Sequence, residues 1–364
     1  MYCSKIEELR EVLTSIQNRN DINGLILFGA DKNRPSNNLL EAVLKINDKP
    51  LLGGFFPEIV ADGKRKEEGF VVIPIHEELV VSCVESNQQQ TISDQLTSWV
   101  SETNTEIESV LCFVNSLWSE KTNFMHSLYD ELGPFINYIG GGAGSLSFQS
   151  FACIFCNQEV HENAAVLGAI QTSMTIGVAH GWQPISDPIK VTKTEGNTVI
   201  SLNWKPAFEV YSSLVQGHSK QEINEDNFFD IAKSYPFGLV KLDEEMIIRD
   251  PYAADNGTMH IVDEVPEGEY IRIMHGDIPS LLDGAQQAMT KLNQTAADET
   301  KLFCIDCISR VLFMKDEFSA ELAILNTSQK VNGVLSIGEI ANSGSSSLEL
   351  YNKTVVISQW KTVK

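Results

Sequence analysis

The chain is short of positive charge: 27 Lys and Arg stand against 49 Asp and Glu, a formal net charge of −22. Such a surface field repels phosphate backbones and anionic membranes, which argues against nucleic acid as a partner. An anionic ligand would need a local arginine to override that field. Long apolar runs are also lacking. Residues 164–179 form the most apolar long stretch, and Gln171, Thr172, Ser173 and Thr175 interrupt it well short of the ~20 residues a spanning helix requires. The opening MYCSKIEELREVLTSIQ alternates charged and apolar residues and has no secretory apolar core, so a cytoplasmic protein without membrane insertion is expected. An even cysteine count is missing too. Seven cysteines without an export signal read as reduced thiols rather than a disulfide framework. Two CxxC pairs, Cys153 with Cys156 and Cys304 with Cys307, lie in apolar strand-like runs rather than on turns. Three residues apart on a strand, the thiols of a pair face opposite ways, which favours buried core thiols over a zinc site.

What the chain does have is ordinary globular composition, with 43% hydrophobic residues over 364 positions, enough for two domains or one large duplicated unit. Leu9, Val12, Leu13 and Ile16 share one face of an opening helix, followed by a strand at 25–28. Ser36 or Asn37 caps a second helix, a charged turn is expected at Lys64–Glu68, and a strand at Phe70–Ile75. Helix and strand alternate to Leu132, and from Ile136 strands succeed one another with little helix between them. A hairpin around Glu195-Gly196-Asn197 precedes a helix that opens at Lys205-Pro206. Further strands, a helix over Leu281–Leu292, the strand Phe303–Ile308 and a closing strand at Thr354–Ile357 complete the reading. The fold class is therefore mixed α+β, with mixed or antiparallel sheets covered by helices. PLLGGFFPEI and KVNGVLSIGEI share a Gly-rich strand and a final Glu-Ile, a hint of two related modules.

Gly140, Gly141, Gly142 and Gly144 follow an apolar strand and read as a turn, either a ligand loop or a plain tight turn. A phosphate cradle would need a helix after the glycines, whereas Leu146–Phe155 reads as strand. His180 closes an apolar stretch beside Trp182, where both a satisfied core histidine and a ligand-touching one are open.

The run GVAHGWQPISDPIKVTKTEGNTVISLNWKPAFEVY, residues 177–211, resembles the FIST family of intracellular signal-transduction sensors. So do YIGGGAG with FACIFCNQEVHENAAVLGAI, MIIRD leading to VDEVPEGEYIRI, and FCIDCISR with GVLSIGEIA. The resemblance runs from about residue 20 to 358 and implies an N-terminal FIST module (1–205) before a C-terminal one (206–364). It implies a sensory module, not a catalyst, that regulates a separate histidine kinase, cyclic-di-nucleotide enzyme or chemotaxis protein. The implied ligand is an amino acid or, in one subset, haem for nitric-oxide sensing. The family pattern falls on Gly140, Gly141, Gly142, His180, Gly181, Arg249, Cys307, Arg310, Gly338 and Glu339, and departs at Pro57, where a glycine is expected. On chemical grounds Arg249 and Arg310 suit a carboxylate or haem propionate, Glu339 suits an ammonium, and His180 is the haem axial candidate. The bland alternative is that Arg310 and Glu339 pair inside the fold. A cysteine-dependent enzyme using Cys304 or Cys307 with His180 or His275, and a ligand-free interaction scaffold, are the readings from other classes.

Overall fold

The computed structural model describes all residues except 87–88, 104–105, 242–244, 293–299, 328, 343–347 and 362–364. Its plan is a repeat played three times. Each repeat has a first strand, a helical crossover and a second strand parallel to the first. The pairs are Gly24–Ala30 with Leu51–Phe56, Ser109–Asn115 with Asn137–Ala143, and Thr300–Cys307 with Asn332–Ser336. An antiparallel strand then flanks the first strand on its open side: Phe70–Ile75, Ala164–Ile170 and Val355–Lys361 respectively. A further strand covers each of these, Tyr2–Cys3, Leu79–Glu85 and Thr175–Ala179.

The repeats are knitted together in a ring. After its second strand each one sends a short strand to the sheet of another. Glu58–Ala61 pairs with Asn332–Ser336, Glu339–Ala341 with Asn137–Ala143, and Ile154–Cys156 with Leu51–Phe56. Each crossing strand doubles back as a hairpin, through Lys64–Lys66, Glu349–Tyr351 and Glu159–His161. Three six-stranded sheets of the same order result. A fourth, nine-stranded sheet is inserted into the third repeat between Gln183 and His275, and the junction expected at 205/206 falls in its two-residue strand Lys205–Pro206.

The helices follow the apolar periodicity. Leu9, Leu13 and Ile16 are the buried face of Ile6–Gln17. Capping boxes at Thr91–Asp94 and Asp277–Ser280 start the corresponding helices Ile92–Glu102 and Ile278–Lys291. At the centre Phe28 meets Phe113 and Phe303, one ring from each repeat, at centroid separations of 5.0 and 5.7 Å. Such aromatic pairs contribute ~1 kcal/mol beyond the area they bury.

The glycine stretches have one physical cause. A side chain on Gly53 would fall on the carbonyl oxygen of Leu27, one on Gly140 on that of Cys112, and one on Gly333 on that of Cys304. In each case the oxygen belongs to the residue paired with the glycine across the parallel strands. The likeness between PLLGGFFPEI and KVNGVLSIGEI is therefore a threefold one, with YIGGGAG as its third member. Three local expectations are corrected here. Gly140–Gly142 lie inside a strand rather than a turn, and no side chain fits there because Cys112 of the first strand crowds Gly140 and Ile337, beside the crossing strand, crowds Gly142. Of Leu146–Phe155, only Ile154–Phe155 are strand. Lys64–Lys66, expected as turn, is a strand, tied down by the ion pair of Arg65 with Glu58.

Gly140→Ala is expected to lower the urea-unfolding free energy by about 3 kcal/mol, since backbone must move to admit the methyl group. Gly217→Ala, on the exposed helix Ala207–Ser219 with nothing within 4 Å, is expected to raise it by up to ~1 kcal/mol.

Candidate functional site

The residues singled out in the sequence, spread over 200 positions, converge on one short stretch, Leu350–Thr354. Arg249 donates from Nη1 to the Leu350 carbonyl at 2.9 Å. Arg310 donates from Nη1 to the Lys353 carbonyl at 3.3 Å and to that of His180 at 2.7 Å. Glu339 accepts from the Thr354 amide at 3.3 Å and pairs across the sheet with Gly141. The glycine strand is clamped from the same side, with the Gly142 amide donating to Gly338 and the Ile337 amide to Gly142, both at 2.9 Å. Lys353 has a positive φ of 52°. Its ammonium reaches Asp250 at 3.0 Å, and its carbonyl also accepts from the Trp182 indole at 3.1 Å.

Arg310 is fully buried and its donors are engaged by the protein itself. It grips Glu321 bidentately at 3.0 and 2.8 Å and donates to Leu281 at 3.0 Å. Asp306 lies 3.4 Å from its Nε. Burial first, and then the neighbouring Glu321, push the Asp306 pKa well above the usual carboxylate range, against the pull of Arg310. Glu339 accepts from the Ser336 hydroxyl at 2.8 Å, and burial raises its pKa to about 8. Arg249 is occupied likewise, by the carbonyls of Glu264 at 3.0 Å and Ile248 at 3.1 Å.

His180 is a core histidine in this geometry. Its Nδ1 accepts from the Trp182 amide at 2.8 Å, so the ring proton sits on Nε2, which faces the Glu245 carboxylate at 3.3 Å. Burial lowers its pKa to about 4, against the pull of Glu245. A haem iron needs an imidazole lone pair. Here one nitrogen spends its lone pair on Trp182 and the other carries the proton toward Glu245, so His180 as placed does not fit axial ligation.

A second feature lies where the parallel pair Ser109–Asn115 and Asn137–Ala143 ends. Open α/β sheets bind ligands at the carboxyl ends of parallel strands. Ser116 sits there, buried, and its Oγ has no hydrogen-bond partner. Gly144, with φ 144°, keeps the space before it clear, since a Cβ would stand 2.9 Å from that Oγ. Lys121, at the start of the helix Lys121–Leu132, donates to the Ser116 carbonyl at 3.1 Å and pairs with Asp263 at 2.7 Å. Asn352 donates to the other Asp263 oxygen at 2.8 Å. Burial alone would raise the Asp263 pKa, but Lys121 and Arg249 outweigh it and hold the carboxylate below its usual range. Sequence reasoning missed Ser116, Lys121, Asp263 and Asn352. It also passed over Asp306, although a lone charge inside the apolar LFCIDCI was a signal of a buried ionic partner.

A family model described as the FIST N domain matches residues 24–205, and one described as the FIST C domain matches residues 207–342. The chain belongs to the FIST family. Among curated relatives, the uncharacterized protein MJ1623 of Methanocaldococcus jannaschii is 22% identical over 276 residues, which cover 70% of this chain and 53% of that one. The chain thus spans about half the length of the curated relative it matches. FIST domains are sensor domains of signal transduction rather than catalytic ones. The cysteines of this FIST protein fit that character. All seven are free, and burial pushes the thiols of Cys304 and Cys307 up, away from the thiolate a nucleophile needs. Among the described residues no helix is long and apolar enough to cross a membrane.

The raised pKa of Glu339 carries a sign. Between about 4.5 and about 8 the folded state binds a proton that the unfolded chain has released. The contribution of Glu339 to stability is thus fully present below about 4.5 and is lost as pH rises toward about 8, by at most ~1.4 kcal/mol per unit. Urea unfolding from pH 6 to 8 is expected to show this decline in the parent and a flatter profile in Glu339→Gln.

Proposed function

We propose that this FIST protein is a cytoplasmic sensor of a zwitterionic, amino-acid-sized ligand, and that it regulates a separate signalling protein such as a histidine kinase or a cyclic-di-nucleotide enzyme. The observation that carries the reading is the buried, unpartnered Ser116 hydroxyl at the carboxyl end of the parallel strands, beside an ion pair of opposite charges. An ammonium meets the Asp263 carboxylate, and a carboxylate meets the Lys121 ammonium and the Ser116 hydroxyl. Both charges of the ligand then replace interactions that the side chains make with each other. Lys121 comes from the N-terminal half and Asp263 from the C-terminal half, so occupancy alters how the two halves hold each other.

The family-pattern residues Gly140, Gly141, Gly142, His180, Arg249, Arg310 and Glu339 serve in this reading as the frame behind the ligand. Arg249 and Asn352 link Asp263 to Leu350–Thr354, and that stretch reaches Arg310, Glu339 and the glycine strand. A signal leaves the cleft along contacts that are already rigid. The haem reading is weaker on geometry, because the Trp182 amide takes the Nδ1 lone pair of His180 and so leaves the ring proton on Nε2.

A thermal-shift screen of amino acids is expected to find one that stabilises the protein, by about 2.7 kcal/mol at one hundred times its Kd. The shift is expected to vanish in Asp263→Asn and to shrink in Ser116→Ala. No stabilising amino acid, or an undiminished shift in both variants, contradicts the assignment. Protein made with ample haem is expected to lack a stoichiometric Soret band. A band that His180→Ala removes would restore the haem sensor.

A further inference from the structure

Away from that cleft, a set of soft and hard donors faces inward at the seam between two sheets. Leu79–Glu85 is the last strand of one six-stranded sheet, and Glu159–His161 is the last strand of another. Cys83 and Glu85, two apart on their strand, share a face. Cys156 and Glu159 are paired across the hairpin, and His161 lies two residues beyond Glu159 on the same face. The Cys156 thiol neighbours that of Cys83 and helps to raise its pKa. His161 bonds through Nδ1 to Glu85. The donor atoms of Cys83, Glu85 and His161 lie within 4.8 Å of one another.

We propose that Cys83, Cys156, His161 and Glu85 form a binding site for a divalent transition metal of zinc type, which staples the crossing hairpin Ile154–His161 to the strand Leu79–Glu85. Two thiolates, an imidazole and a carboxylate are a donor set that zinc takes in tetrahedral geometry. With Zn–S near 2.3 Å and Zn–N near 2.0 Å, ligand atoms around such an ion stand roughly 3.5 Å apart. The thiols release their protons to solvent as the metal enters. Glu85, with 43% of its side chain exposed, gives the ion a way in. Neighbours already orient the ligands. Glu159 stands 3.6 Å from His161 Nε2, and Gln95 exchanges hydrogen bonds with the Glu85 backbone at 3.1 and 2.8 Å.

The pseudo-threefold plan supplies a control within the molecule. In the first repeat the equivalent strand and hairpin meet through Lys66, whose ammonium lies 4.9 Å from the Tyr2 ring centroid. The architecture thus closes this seam without thiols or histidine, and the second repeat carries metal-ligating residue types that packing alone does not demand. The CxxC spacing points the Cys156 thiol away from Cys153, and in the fold it neighbours Cys83.

The test is titration of the full, reduced, metal-stripped chain with Co²⁺. One equivalent is expected to produce thiolate-to-cobalt charge transfer and the visible bands of a tetrahedral ion, and Zn²⁺ is expected to displace it. Cys83→Ser, Cys156→Ser and His161→Ala are each expected to weaken cobalt binding about tenfold or more. Glu85→Gln, at the solvent edge, provides a variant that folds even if the cysteine changes disturb packing, and it too is expected to weaken binding. His126→Ala, on the exposed face of its helix, is expected to bind as the parent does. Absence of a thiolate–cobalt band in the folded parent overturns the proposal. So does a band undiminished in Cys83→Ser and Cys156→Ser, or a Cys83–Cys156 disulfide formed in air by protein that takes up no metal when reduced.

Discussion

No repeat in this chain completes its own sheet. Each second strand finds its outer neighbour only when the crossing strand of another repeat arrives, so the three exchanges Glu58–Ala61, Ile154–Cys156 and Glu339–Ala341 are closed together or not at all. An unpaired strand edge at the centre of the molecule would leave buried amides and carbonyls without partners, each at a cost comparable to a lost hydrogen bond. The glycines at 53, 140 and 333 are the local condition for that closure, because they let the second strand lie directly against the carbonyls of the first.

The ring of exchanges also explains why charge is buried where it is. The third crossing strand carries Glu339 into the heart of the second sheet, and the hairpin that follows returns the chain as Leu350–Thr354 between both halves. The polar groups there are buried and take most of their partners from the protein. Arg310 meets Glu321 and three carbonyls, Arg249 meets three carbonyls, and burial raises the pKa of the surplus acids Asp306 and Glu339. Removing one partner of such a pair leaves an uncompensated buried charge, which costs more than the pair contributes. A network of this kind shifts as a unit when one member changes, and Asn352 and Arg249 join it to Asp263.

Local order was legible in the sequence and long-range pairing was not. The spacing of Leu9, Leu13 and Ile16 fixes a helix face because the interaction is within four residues. The mixed α+β class, the free cysteines and the family followed from composition and motif density. The glycine strand was misread as a turn because nothing near Gly140 reveals that Ile337 and Gly338, two hundred residues away, press on it. For Arg310 the sequence left a carboxylate ligand and an internal partner both open, because Glu321, the partner it meets, is ordinary in sequence and buried only in the fold. Cys156 shows the limit most plainly. Spacing put its thiol on the face opposite Cys153, but only the strand exchange brings it beside Cys83.

The claim on which the rest depends is that the crossing strands lock three repeats into one cooperative unit. Native-state amide hydrogen exchange under increasing denaturant tests it directly. The amides of Ile154–Cys156, Glu339–Ala341 and Glu58–Ala61 that the sheets pair are predicted to exchange only through global unfolding, with the same free energy and denaturant dependence as those of Leu25–Phe28 and Val110–Val114. Exchange of the crossing strands at a distinctly lower free energy, while the first strands stay protected, would show repeats that stand alone and would contradict the account.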